Sequence, residues 1–180
     1  MIGGRGAMVV LVGLAGLLLV MAVVSGWQGT TRLTDRGGDT KAVEEAARAF
    51  VEAYGTFDFR DPDGYRQRLL ALTTGAVREA VRASEVDPVA VGQQRTMTTR
   101  VVAVQVSALS DDEATVSVTA EQLRRGVDPA SGRLLEERVL QRVACRLALE
   151  GDPASPAGRG WLVAEFRLLS EEPQGTGSQN

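Results

Sequence analysis

This chain of 180 residues contains no histidine and one cysteine, Cys145. The first absence removes the commonest general base and metal ligand. The second excludes an intramolecular disulfide. A basic face is missing as well. Beyond residue 27 the chain holds 19 basic and 23 acidic residues, net −4. A nucleic-acid partner wants the opposite balance, so none is expected. Aspartates 58, 61 and 63 lie close together but lack the twelve-residue loop with a closing glutamate that calcium needs. The sequence thus implies no metal and no cofactor.

Charge is missing in another way between Ala7 and Gly26, AMVVLVGLAGLLLVMAVVSG. As a helix, about 20 such residues span roughly 30 Å, the thickness of a hydrocarbon core. A helix satisfies its own backbone groups, as lipid requires, and Trp27 follows at headgroup depth. A cleaved signal peptide is the competing reading. The run exceeds the usual h-region, and Val24-Ser25-Gly26 is a poor cleavage site. Residues 7–27 therefore read as a single transmembrane anchor behind a cytoplasmic tail, 1–6. The anchor carries no G-x-x-x-G pattern, hence no signal for helix pairing. The short tail and long polar remainder favour an extracytoplasmic C-terminal domain, a single-pass protein of the cytoplasmic membrane.

Residues 28–39, rich in Gly, Thr and charge, read as a linker. From Thr40 the apolar positions Val43, Ala46, Ala47, Phe50, Val51 and Tyr54 form one helical stripe, with Asp39 or Thr40 as cap and Gly55 as stop. Phe57 to Phe59 reads as a short extended piece. Asp61-Pro62 is a helix start. Thr73-Thr74 breaks that helix, and Gly75 to Ala83 is a further short one with Val77, Ala80 and Val81 inward. After Asp87-Pro88 the period becomes two. Strands are expected at Thr96–Ala108 (Val102, Val104 and Val106 on one face), Ala114–Glu121, Leu134–Glu150 and Trp161–Leu169. Between them lie a turn at Ser110–Asp112, a loop at Arg124–Gly132 and another at Gly151–Arg159. Residues 171–180 read as a disordered tail. The fold class is α+β: an N-terminal transmembrane helix, then helices packed on a four-stranded antiparallel sheet over residues 40–170.

This order resembles the cone-shaped fold of the nuclear transport factor two-like superfamily, in which a long first helix lies across a curved sheet. With an anchor in front, it is similar to two groups: the actinobacterial Mce-associated membrane proteins and the single-pass assembly subunit of type IV secretion and conjugation systems. Three pieces carry the first likeness: Ala46–Asp61 with its Phe57-Asp58-Phe59 step, the Leu72-Thr73-Thr74 break, and Gly160-Trp161-Leu162-Val163. The resemblance implies a non-enzymatic scaffold or assembly protein whose partners are the membrane, subunits of a transport or secretion complex, and possible further copies of itself.

Two sets of residues stand out. Tyr54, Asp58 and Tyr65 are candidates for the cone mouth. The fold also hosts ketosteroid-isomerase-type enzymes, which use Tyr and Asp there, and it can enclose a small apolar ligand. The plainer reading is that Tyr54 packs its ring, Asp58 bonds local backbone, and inner-face exceptions such as Gln141 form no set. Arg138, Arg142 and Arg146 recur every four residues on one strand and so share its outer face. They are candidates for docking an acidic partner, against plain cross-strand pairing with Glu121 or Glu165. Cys145, on the aliphatic face of that strand, reads as a buried inert thiol.

Overall fold

The computed structural model describes residues 38–151 and 159–174. The expected tail 1–6 and anchor 7–27 lie outside them, as do nearly all of the linker and residues 175–180. Among the described residues no helix is long and apolar enough to cross a membrane.

Helix α1 occupies residues 38–55. Neither Asp39 nor Thr40 caps it, because both are already helical. Its stripe is read correctly from the period: Val43, Ala47, Phe50 and Val51 are at most 3% exposed. The chain leaves α1 at Gly55, where a Cβ would meet the Thr99 hydroxyl at 2.0 Å. Only a residue without a side chain lets helix and sheet approach so closely there.

The extended piece after α1 is strand β1, Phe57–Asp58, paired with Met97 and Thr96. It makes the sheet five-stranded rather than four-stranded, antiparallel throughout, in the order β1-β2-β3-β4-β5. Helix α2, Pro62–Leu72, starts as the sequence implies, with the Asp61 side chain accepting the Gly64 N–H at 3.0 Å. Thr73 and Thr74 end it; Thr74 N–H donates to the Val163 carbonyl and so ties the break to the last strand. Helix α3, Gly75–Ala83, buries none of its residues. Val77 and Val81 are half-buried and Ala80 is exposed, so the inward face expected of them lacks cover. Helix α4, Pro88–Gly92, is one short turn beyond the sequence reading, N-capped by Asp87.

The four long strands are β2 (Thr96–Leu109), β3 (Glu113–Val127), β4 (Leu134–Glu150) and β5 (Gly160–Gln174). Three expectations need correction. Val102 points outward and is 52% exposed, while Val101 is buried. A bulge between Val101 and Ala103 adds one residue, which reverses the alternation before Val104 and Val106 return inward. Second, β3 runs to Val127, so Arg124–Val127 is strand and the loop begins at Asp128. Third, β5 continues through Glu171–Gln174, into the segment expected to be disordered, because β4 is long enough to pair with it. Further shifts at Val106/Ala108, Arg142/Val143 and Arg146/Leu147 bend the sheet around α1.

The core lies between α1 and the concave face: Phe50 over Val116, Val118, Val143, Cys145, Leu147 and Val163, each at most 1% exposed. Removing the largest of these, Phe50→Ala, is expected to cost about 3–5 kcal/mol by leaving a cavity under α1. Urea denaturation of the folded domain measures it. Gly55→Ala is expected to cost about 1–3 kcal/mol by forcing the Thr99 side chain aside.

Candidate functional site

Three surfaces are available: a groove beside α1, the polar end of the concave face, and the outer face of the sheet. The groove has a volume of about 1000 Å³ and is open to solvent. The end of α1 supplies Phe50 and Tyr54, α2 supplies Tyr65 and Leu69, α3 supplies Val77 and Val81. Phe166 of β5 forms the floor. Its ring meets Tyr54 at 4.5 Å and Phe50 at 5.4 Å between centroids, the second contact edge-on. The rings pack beneath the end of α1, and the groove extends from α3 and the β5 edge to Ala90 of α4 and Met97 of β2.

Of the three cone-mouth candidates, Tyr54 and Tyr65 line this groove and Asp58 does not. Tyr65 donates its hydroxyl to the Tyr54 carbonyl at 2.9 Å. Burial, with the neighbouring Tyr54 phenol, pushes its pKa up to about 12. Asp58 accepts the Arg60 N–H at 3.0 Å and pairs with the Arg60 guanidinium at 3.8 Å, so it serves its own turn. The Tyr–Asp convergence of an isomerase-type site is not assembled by these residues. Cys145 is 1% exposed, and burial pushes its thiol up to about 12, so it is held as the neutral thiol. Among the described residues, no three His, Cys, Asp or Glu side chains are grouped to hold a metal ion.

The concave face is not aliphatic throughout, and here the reading that Gln141 belongs to no set is overturned. Past Gly55 a connected polar ladder crosses four strands. Thr99 donates to the Gly55 carbonyl at 2.8 Å, and Gln122 donates to the same carbonyl at 3.1 Å. Gln141 donates to the Gln122 side-chain oxygen at 3.3 Å and to Glu171 at 2.7 Å. Arg124 closes the ladder, with two nitrogens on Glu171 at 2.8 and 2.6 Å and a third on Gln122 at 2.6 Å. No described buried side-chain N or O is left without a partner. Three of the five members lie outside the strands expected from sequence: Gln122 just past the end at Glu121, Arg124 in the loop and Glu171 in the tail. The available signal was the inward alternation Val116, Val118, Ala120 carried on through Gln122 and Arg124.

On the outer face Arg138, Arg142 and Arg146 do share one side of β4, alternating with buried Val139, Gln141, Val143 and Cys145. Their states differ. Arg146 is clamped by Glu113 at 2.6 Å and Glu165 at 2.5 Å, which raise its pKa, Glu165 most. Arg138 approaches Glu136 at only 3.8 Å and is two-thirds exposed. Arg142 lies between Thr119 and Ser170 and makes no ion pair among the described residues. Cross-strand pairing thus accounts for Arg146, as it does for Arg100 with Glu121 at 2.7 Å. The outer row and the groove also meet: the groove runs over the β5 edge and reaches Arg146.

With this geometry in view, the chain can be set beside known proteins. No protein-family model matches it, and no curated protein matches it either. Solved structures do. One is an IcmL-like type IV secretion system protein from Legionella pneumophila, 15% identical, with a TM-score of 0.50 over 76% of this chain and 94% of that one. The fold is shared with that protein. Another is an Ntf2-like protein involved in plasmid conjugation, 14% identical, TM-score 0.50, covering 79% of this chain and 53% of that one. This chain therefore spans about half the length of the second neighbour. The curled antiparallel sheet with a helix across it is the fold this chain shares with both.

The ladder makes a prediction about acid. Arg124, chiefly through its hydrogen bond, holds the Glu171 carboxyl below the usual range. A depressed folded pKa stabilises above the unfolded value, near ~4.3, and that stabilisation is lost as pH falls through the folded value. The melting temperature is therefore expected to fall more steeply below pH 5 in the wild type than in Glu171→Gln. The two curves should converge at the acid end; parallel curves would remove the ladder from the acid response.

Proposed function

We propose that this chain is a membrane-anchored assembly subunit of an envelope-spanning complex of the type IV secretion or conjugation kind, with its folded domain on the extracytoplasmic side. Residues 7–27 hold it in the cytoplasmic membrane, and the domain from residue 40 presents the outer face of its sheet to other subunits.

The observation that carries the reading is the uncovered outer face. It bears two arginines, Arg138 and Arg142, that internal pairing barely engages, about 13 Å apart along β4. An acidic partner would meet cations that need not be taken from existing bridges. The architecture supports the same reading, since it is shared with proteins whose descriptions name secretion and conjugation; the role itself is carried over by analogy.

The test is in-cell crosslinking of the full chain in its native membrane, followed by identification of what is recovered. Coupling-ATPase or channel subunits are the expected result. Lipid-transporter subunits would instead place the chain with the Mce-associated group. In the same assay Arg138→Glu with Arg142→Glu is expected to lower partner recovery at least tenfold with the melting temperature unchanged. Undiminished recovery from that folded variant would remove the arginine row from docking.

A further inference from the structure

Strand β5 lies at the edge of the sheet. Among the described residues, the only backbone partner on its free side is the Thr73–Thr74 break, at Val163. From Ala164 onward that side has no backbone partner among the described residues. The open groove is lined by four consecutive residues there, Ala164, Glu165, Phe166 and Arg167. Successive strand residues face opposite sides, so a groove that touches all four runs along the edge itself. Leu168 and Leu169, next in the strand, are 47% and 46% exposed. An unpaired edge of this kind is a template for another strand.

The side chains say which strand. Glu165 pairs with Arg146 and Arg167 with Ala144, so both stand on the outer face; Phe166 pairs with Cys145 and faces inward. A second β5 laid antiparallel, with Phe166 opposite Phe166, sets Glu165 of each copy against Arg167 of the other. Both charge pairs form at once, on the same face, and Ala164 meets Leu168. Moving the centre by one residue to Arg167 would set arginine against arginine. The groove wall opposite the edge is α3, whose half-buried Val77 and Val81 give apolar cover to the inner side of an added strand. Register shifts at Ala164 and Leu169 bound the regular run, so the pairing is short and its register defined.

We infer that two copies of this chain associate through their β5 edges, antiparallel about Phe166, with reciprocal Glu165–Arg167 pairs. The interface is isologous, as a two-fold axis requires. It joins the two sheets into one and covers the apolar face of α3. The inference stands apart from the secretion reading, because it rests on the edge and its charge order.

Disulfide crosslinking of the full-length chain in membranes tests it. In this register the Cα atoms of position 165 and the partner copy's position 167 face each other within disulfide range, about 4.5–5.5 Å. Like positions are offset by two residues, about 7 Å along the strands, and are out of range. Glu165→Cys and Arg167→Cys proteins are expected to crosslink when co-expressed and not when expressed alone. The native Cys145 is buried and contributes no background. Arg167→Glu, which leaves the Arg146–Glu165 clamp intact, should weaken self-association at least tenfold; Arg167→Lys should restore most of it. Equal crosslinking in mixed and unmixed samples would overturn the inference. So would its absence in the mixture, crosslinks to other proteins only, or an Arg167→Glu protein that associates like the wild type.

Discussion

Among the described residues α1 lies across the concave face of four long strands and stops before that face does. The 18 described residues of α1 reach about 27 Å, whereas the 17 residues of β4, fully extended, would reach roughly 56 Å. Everything else in the domain adjusts to that mismatch. Under α1 the inner face is Val, Cys and Leu. Beyond Gly55 it turns to Thr99, Gln122, Gln141, Arg124 and Glu171, which satisfy one another past the end of α1. The change from apolar to polar falls where the helix stops. A buried ladder of this kind costs little only because each donor has an acceptor.

The same mismatch governs curvature. A sheet that wraps one helix must bend, and bulges in β2 and in the β4–β5 pair bend it. The bulges also decide which face a residue occupies, and there a strict alternation read from sequence goes astray. Val102 is the clear case. It sits in a Val-rich strand and belongs to the apolar set by any count of two, yet the inserted residue turns it to solvent. By contrast, β4 has no break in its pairing with β3, and its ends and both its faces were legible.

What was legible follows from how local each signal is. The α1 stripe, the Asp61-Pro62 start and the Thr73-Thr74 break are set by residues within one turn of each other, and all three stand as read. The ends of β3 and β5 are set by a partner strand, so Arg124 and Glu171 looked like loop and tail until β4 was placed between them. The candidate sites divide the same way. The sharing of one face by Arg138, Arg142 and Arg146 follows from spacing alone. That Arg146 is clamped while Arg142 is not depends on neighbours contributed by β3 and β5.

The single cysteine takes on a further meaning from its place at the centre of the concave face. With every outer atom of the domain free of thiol, Cys145 is a built-in gauge of how often the sheet parts from α1. A thiol reagent reaches it only through such openings, so the labelling rate, read against denaturant, reports the free energy of separating helix from sheet. The gauge sits beneath Phe50 and beside Phe166, and so reads the stability of the floor of the groove.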